Sequence, residues 1–257
     1  MGAARLSVHQ LRYEQKVYWR NPASAFFTFV FPVLFLVIFA TINADSRLSD
    51  YGGLPFNQYY VPGIIAFGVI SATYTSLAMT LTVRRDTGIL KRLRGTPLPA
   101  SALLGGLVLS SLVVSVLIAV LVGVVGVTAY DVTFPGHWVA LGLALVVGAA
   151  TFCTLGVAVS CLVPNADAAP AVVNGVLFPV LFISGVFYPV PPGSFLARLG
   201  DLFPVKHFTG AMFTAFDPRV THGPSHAIAW AHLAVMALWG LAGAVVAVRR
   251  FRWEPRR

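Results

Sequence analysis

The sequence predicts an all-α integral membrane protein with six transmembrane helices, and three observations carry that prediction. The 257 residues are 57% hydrophobic and only 11% charged, with a mean hydropathy of +0.79, whereas soluble domains run nearer a quarter charged. The apolar residues gather into six runs, at about 23–42, 61–83, 102–127, 138–162, 170–190 and 226–248, and none contains Asp, Glu, Lys or Arg. Each is near the length a bilayer core requires of a helix, the state in which backbone inside lipid satisfies its own hydrogen bonds. The net charge of +9 sits in short segments beside those runs. That placement fits a membrane orientation signal rather than a nucleic-acid surface. Six spans and their loops fill the chain, so 1–257 reads as one transmembrane domain.

The N-terminal segment 1–22 reads as an amphipathic interfacial helix. Arg5, His9, Arg12, Lys16 and Arg20 fall within an arc of about 80° at helical spacing. Tyr13 and Trp19 flank that arc, and Leu11 and Tyr18 lie opposite. A basic face with interfacial aromatics suits the headgroup region of a membrane. A flexible basic tail is the competing reading. Asn21-Pro22 ends this helix and turns the chain into the first span. That span continues past Pro32 without an Ala-x-Ala site, so it reads as retained rather than as a cleaved signal peptide.

The loops orient the spans. Of the eighteen Lys and Arg residues, fourteen lie in the N-terminal segment, the loop 84–99 and the segment 249–257. The other four lie in loops on the opposite side. Positive charge marks the cytoplasm, so both termini are expected inside. Pro32 and Pro179 are expected to kink spans one and five. Ala140, Ala144 and Gly148 form a small-residue face on span four, for packing within the chain or for a dimer contact. Cys153 and Cys161 are about 12 Å apart along one helix, too far for a disulfide, and read as packing residues.

Two further segments are not spans. In the loop after span two, Ile89, Leu90 and Leu93 form an apolar face beside Lys91, Arg92 and Arg94. Gly95 and Pro97 punctuate its end. A short cytoplasmic helix with exposed apolar residues points to a protein partner, with a merely interfacial loop as the alternative. On the outer side, 191–225 carries one stripe of Phe195, Leu199, Leu202 and Phe203, then a second of Phe208, Met212 and Phe216 after Pro204. These read as a re-entrant helical hairpin or a simple surface loop.

The run RDTGILKRLRGTPL, from Arg85 to Leu98, resembles the cytoplasmic signature of the ABC type-2 permeases, the membrane subunits of ATP-binding cassette exporters. The stretch FPVLFISGVFYPVPPGSFLARLGDLFPVKHF, from Phe178 to Phe208, is similar to that family's fifth span and following hairpin, through Ser184-Gly185-Val186-Phe187 and Phe203-Pro204. Asp86 stands where glutamate is usual and Ile89 where threonine is usual. The resemblance implies a transport subunit that is not itself an enzyme. A cytoplasmic ATP-binding cassette ATPase would bind ATP and Mg. Thr87, Gly88, Ile89, Leu90, Lys91, Arg92, Leu93 and Arg94 would form the coupling helix. A second permease copy or a sister permease would complete the pore. It also implies a substrate path between spans two and five, for which Tyr74, Asn174, Phe178 and Phe182 are candidates. The polar groups there bonding their own or neighbouring helices is the alternative.

Independent checks agree. The three lysines, Lys16, Lys91 and Lys206, follow Gln15, Leu90 and Val205, so no GxxxxGK[ST] phosphate loop exists and no cofactor is expected in this chain. A secondary transporter or channel is the rival reading, but such carriers keep ionisable groups inside their spans. Apart from histidine, these spans hold none. A lipid-modifying enzyme would need clustered carboxylates, a metal set or a nucleophile with its base, and the nine acids are scattered. His222, His226 and His232 lack a nearby acid or cysteine to complete a metal site, and no metal is expected. The resemblance implies a drug, lipid, glycolipid or polysaccharide as cargo, and the apolar, nearly uncharged path favours a hydrophobic or amphipathic one. The excess of arginine over lysine and the Ala, Gly and Val content suggest a bacterial chain of the plasma (inner) membrane.

Overall fold

Asn21 and Pro22 separate the first two helices as the residue chemistry requires. The computed structural model describes residues 3–96, 98–219, 228–251 and 253. Helix α1 (Ala3–Trp19) stops before Asn21, whose side-chain oxygen accepts from Ser24 N, and Pro22 opens α2 (Pro22–Ile42). Pro tolerates this first helical position because its missing N–H would be unsatisfied there in any case. A two-residue hairpin follows, β1 (Arg47–Leu48) paired antiparallel with β2 (Leu54–Pro55), with Arg47 opposite Pro55. This small hairpin was not anticipated in an all-α chain.

Helix α3 (Phe56–Asp86) is the axis of the molecule. Every residue from Phe56 to Ile70 except Tyr59 is buried. Ser71–Thr75 form a π-helical turn, the kind of insertion that re-aims the side chains beyond it. A short helix α4 (Ile89–Arg94) leads into α5 (Ala100–Tyr130). At 31 residues α5 is about 46 Å long, more than a hydrocarbon core requires. It ends on Asp131, which takes a left-handed φ of 52°. Then come α6 (Trp138–Ser160), α7 (Ala169–Ile183), α8 (Phe195–Gly200), α9 (Pro204–Phe216) and α10 (Trp230–Arg250).

Five of the described helices, α2, α3, α5, α6 and α10, are long and apolar enough to cross a membrane. The fifth predicted span corresponds to α7, which has 15 residues and ends at Ile183 rather than near 190. The cause is local. Gly185 has φ +72°, and Val186 N donates to Leu181 O while Gly185 N donates to Phe182 O. That is the left-handed stop that glycine permits. The last predicted span begins in residues outside those described.

The small face of α6 is used within the chain. A methyl on Gly148 would meet Phe208 Cε2 of α9 at 2.3 Å, and one on Gly156 would meet the Tyr74 carbonyl of α3 at 2.7 Å. Ala140 packs with Ala215 of α9. Helix α10 crosses α6 equally closely, with Thr151 Oγ1 donating to Met236 O at 2.9 Å.

The second outer stripe is buried, because α9 lies among α3, α6 and α10 with Phe208, Met212 and Phe216 inside. The first is not: Phe195 and Leu202 of the α8 segment face outward. The buried amide of Gln58 ties this end together, donating to Phe216 O at 2.7 Å and accepting from Thr133 N at 2.8 Å.

Candidate functional site

The basic segments converge at one end of the bundle, around α4. Gly88 precedes α4 with φ +72°, a turn that only glycine makes without strain. Thr87 Oγ1 donates back to Val83 O at 2.8 Å and closes the end of α3. The three apolar residues of α4 then part company. Leu90 is 0% exposed and packs with Leu77, Leu81, Leu103 and Val157. Leu93 is half-buried against the same cluster. Ile89 is 41% exposed, and Lys91, Arg92 and Arg94 are exposed beside it. The expectation of exposed leucines is therefore corrected. Leu90 anchors the helix to the bundle, and the outward surface is Ile89 with three cations.

Residues just before α4 lock its base, and the sequence reading missed their roles. Arg85 is buried and donates to the Ser160 and Val163 carbonyls at the end of α6. A cation there also suits the negative pole of that helix. Asp86 accepts from Ala166 N at 3.0 Å. The two side chains thus tie the 161–168 loop to α3. Arg84 holds Glu14 of α1 in a two-pronged ion pair, at 2.8 and 2.6 Å, and Glu14 is 6% exposed. Gln10 also donates to Glu14, and Gln15 donates to Ser110 of α5. Helix α1 sits so close to α5 that a methyl on Gly106 would meet Gln10 Cγ at 2.5 Å. Its basic face, Arg5, His9, Arg12, Lys16 and Arg20, is exposed. An uncharged-to-basic pattern alone does not mark Glu14; a lone acid on a basic helix was the available signal.

The expected pathway residues are divided. Asn174 lines a lateral groove of about 460 Å³ between α2, α3 and α7, with Ser71, Thr75, Ser76 and Thr80 opposite and Phe31 and Phe67 beside them. Phe178 and Phe182 lie further along α7 and are 44% and 64% exposed. Tyr74 is not with them. It is buried, and its backbone faces α6, where a methyl on Gly156 would meet the Tyr74 carbonyl; neighbours such as Tyr74 and Thr75 point about 100° apart on a helix.

The far end carries a polar cluster built by α9. Lys206 pairs with Asp201 at 2.6 Å. His232 Nδ1 meets His207 Nδ1 at 2.8 Å, so His232 is a hydrogen-bonding group of the α9–α10 contact. Arg219 grips Asp217 at 2.8–2.9 Å and donates to Tyr51 O at 2.7 Å. These hydrogen bonds hold the Asp217 carboxyl below the ordinary carboxylate range. Among the described residues no group of three His, Cys, Asp or Glu could hold a metal ion; His222 and His226 lie outside them. Cys153 and Cys161 are buried, and the Cys161 thiol donates to Val157 O at 3.3 Å.

The pattern of the ABC-2 type transporter matches residues 9–216. The inner membrane transport permease YadH of Escherichia coli K12 is 28% identical over 178 residues, 68% of each chain. The same permease of Escherichia coli O157:H7 and of Shigella flexneri matches to the same extent. This multi-pass helical chain belongs to the ABC-2 type transporter family of membrane transport permeases.

Proposed function

We propose that this chain is the membrane-spanning subunit of an ATP-driven exporter, which works with a separate cytoplasmic ATP-binding cassette ATPase. The observation that carries this reading is the mounting of α4. A helix of six residues is held by Leu90 to α3, α5 and α6, while Ile89, Lys91, Arg92 and Arg94 stand outward. A force applied to such a helix passes directly into the spans, as a lever between a soluble motor and a buried pore must do. ATP and Mg belong to the partner.

The basic end faces the cytoplasm in this proposal, with both termini inside the plasma (inner) membrane, and α7 is the sixth span. Helix α1 lies on the inner leaflet, and α8 and α9 form the re-entrant hairpin. A second permease copy or a sister permease packs beside the exposed faces of α2 and α7. The groove at Asn174 then becomes part of a path for a hydrophobic or amphipathic cargo, since it offers hydroxyls and aromatic walls without a charged side chain.

The test is reconstitution of the chain with its co-expressed ATPase in vesicles, followed by ATP hydrolysis and cargo transport. Ile89→Asp with Arg92→Glu is expected to weaken ATPase retention by about tenfold or more, as for a central interface residue. Asn174→Leu is expected to leave retention intact and lower transport. Retention unchanged in the first variant sinks the coupling role of α4; transport unchanged in the second sinks the groove.

A further inference from the structure

The turn between α8 and α9 lies well along α10. Trp239 Nε1 donates to Leu202 O at 3.2 Å, and Trp239 is nine residues beyond the first of α10, a rise of roughly 13 Å. The hairpin therefore sets ionisable side chains beside a helix that is apolar enough to cross a membrane, a place where such groups mark functional sites. Asp201 and Lys206 pair at 2.6 Å, and Lys206 also donates to Ala197 O. Their charges offset one another. What remains is a direct contact of two histidines, His207 of α9 and His232 of α10, with Nδ1 atoms 2.8 Å apart and ring centroids 5.1 Å apart.

The hydrogen bonds fix how many protons this contact holds. His207 Nε2 lies 2.9 Å from Asp201 O. A carbonyl only accepts, so that nitrogen carries a proton. In the neutral pair His207 Nδ1 is then a bare acceptor, and His232 Nδ1 donates to it. His232 Nε2 keeps its lone pair. It faces Gly210, where a methyl would meet it at 2.9 Å, and both residues line a hollow of about 170 Å³. The first added proton goes to His232 Nε2 and leaves the contact intact. The second can go only to His207 Nδ1, the atom that already receives the bond. Two N–H groups cannot face each other at that distance, so the rings must part. Two histidines held together thus bind one proton fewer than two apart, and acid favours the parted form. Among the described residues, Asp201 and Lys206 are the charged groups that act on His232 besides its partner. Tyr51 and Tyr59 are the other titratable groups of the hollow, and α6 and α7 carry no Asp, Glu, Lys, Arg or His.

We propose that the His207–His232 pair is a proton-operated latch between the α8–α9 hairpin and α10, closed at neutral pH and released when both imidazoles are charged. Release separates α9 from α10 and widens the hollow beside them. Histidine suits this task because its ordinary pKa, about 6.5, is crossed in mild acid. The latch rests on these contacts and not on the exporter reading.

Hydrogen exchange of the full chain in nanodiscs, without ATPase or ATP, tests it, with labelling times scaled for the intrinsic pH dependence of amide exchange. Between about pH 7.5 and about pH 5, the peptides of α9 and of the first turns of α10 are expected to lose protection about tenfold, within what an ordinary histidine site supplies over that range. Peptides of α5 are expected to keep theirs. His232→Gln and His207→Gln each leave one titrating ring, and the amide can still hydrogen-bond the remaining histidine. Both variants are expected to stay protected in acid, and either one alone decides the matter where the other does not fold. Asp201→Asn removes the nearby carboxylate and is expected to lose protection in acid as the unaltered chain does. Protection of α9 that does not change with pH overturns the proposal. So does an acid loss that persists in the glutamine variants, or one that disappears in Asp201→Asn.

Discussion

Leu90 and Ile89 are neighbours with opposite duties. Periodicity places both on the apolar side of one short helix, and nothing in their spacing says which meets the bundle. The left-handed Gly88 sets the angle at which α4 leaves α3, and that angle turns Leu90 inward. Leu90→Ala should therefore cost about 2–5 kcal/mol of stability, the usual range for a fully buried leucine. Ile89→Ala should leave stability within about 0.5 kcal/mol. Thermal unfolding of the purified chain in detergent separates the two, and equal losses would contradict the mounting described for α4. The same residue-scale logic explains Tyr74. Its hydroxyl looked like pathway chemistry in sequence, but Tyr74 is buried in the bundle and does not line the groove of Asn174.

The elements were largely legible. Long uncharged runs become helices because unpaired backbone is too costly in hydrocarbon, and Asn21-Pro22, Gly95 and Pro204 mark boundaries for reasons of backbone geometry. The end of α7 was not legible, because an apolar Val-Phe-Tyr-Pro-Val stretch continues past the glycine that stops the helix. Nor was the seating of α1. Its basic face is periodic, but its attachment depends on Glu14 meeting Arg84 from the far end of α3. Removing the arginine, as in Arg84→Met, should cost about 3–5 kcal/mol by stranding the buried Glu14. The double variant Glu14→Leu with Arg84→Met should recover most of that loss. A double-mutant cycle of unfolding midpoints gives the coupling; strictly additive losses would show that the pair does not hold α1.

At the scale of the whole molecule, the basic residues of α1, the end of α3 and α4, scattered along the chain, come together at one end. If that end is cytoplasmic, a cysteine replacing exposed Arg92 should react with a membrane-impermeant maleimide only in inverted vesicles. One replacing Arg219 should react only in intact cells. The native Cys153 and Cys161 are buried and add little background. The reverse pattern would invert the topology.

Composition by itself determined that this is a helical membrane protein with several apolar helices, because transfer of apolar residues and peptide groups into lipid depends on local content. The burial of Leu90, the division of Tyr74 from Asn174 and the attachment of α1 were decided only by tertiary structure. Each depends on a contact between residues far apart in the chain, and on backbone angles at Gly88 and Gly185 that hydrophobicity does not encode.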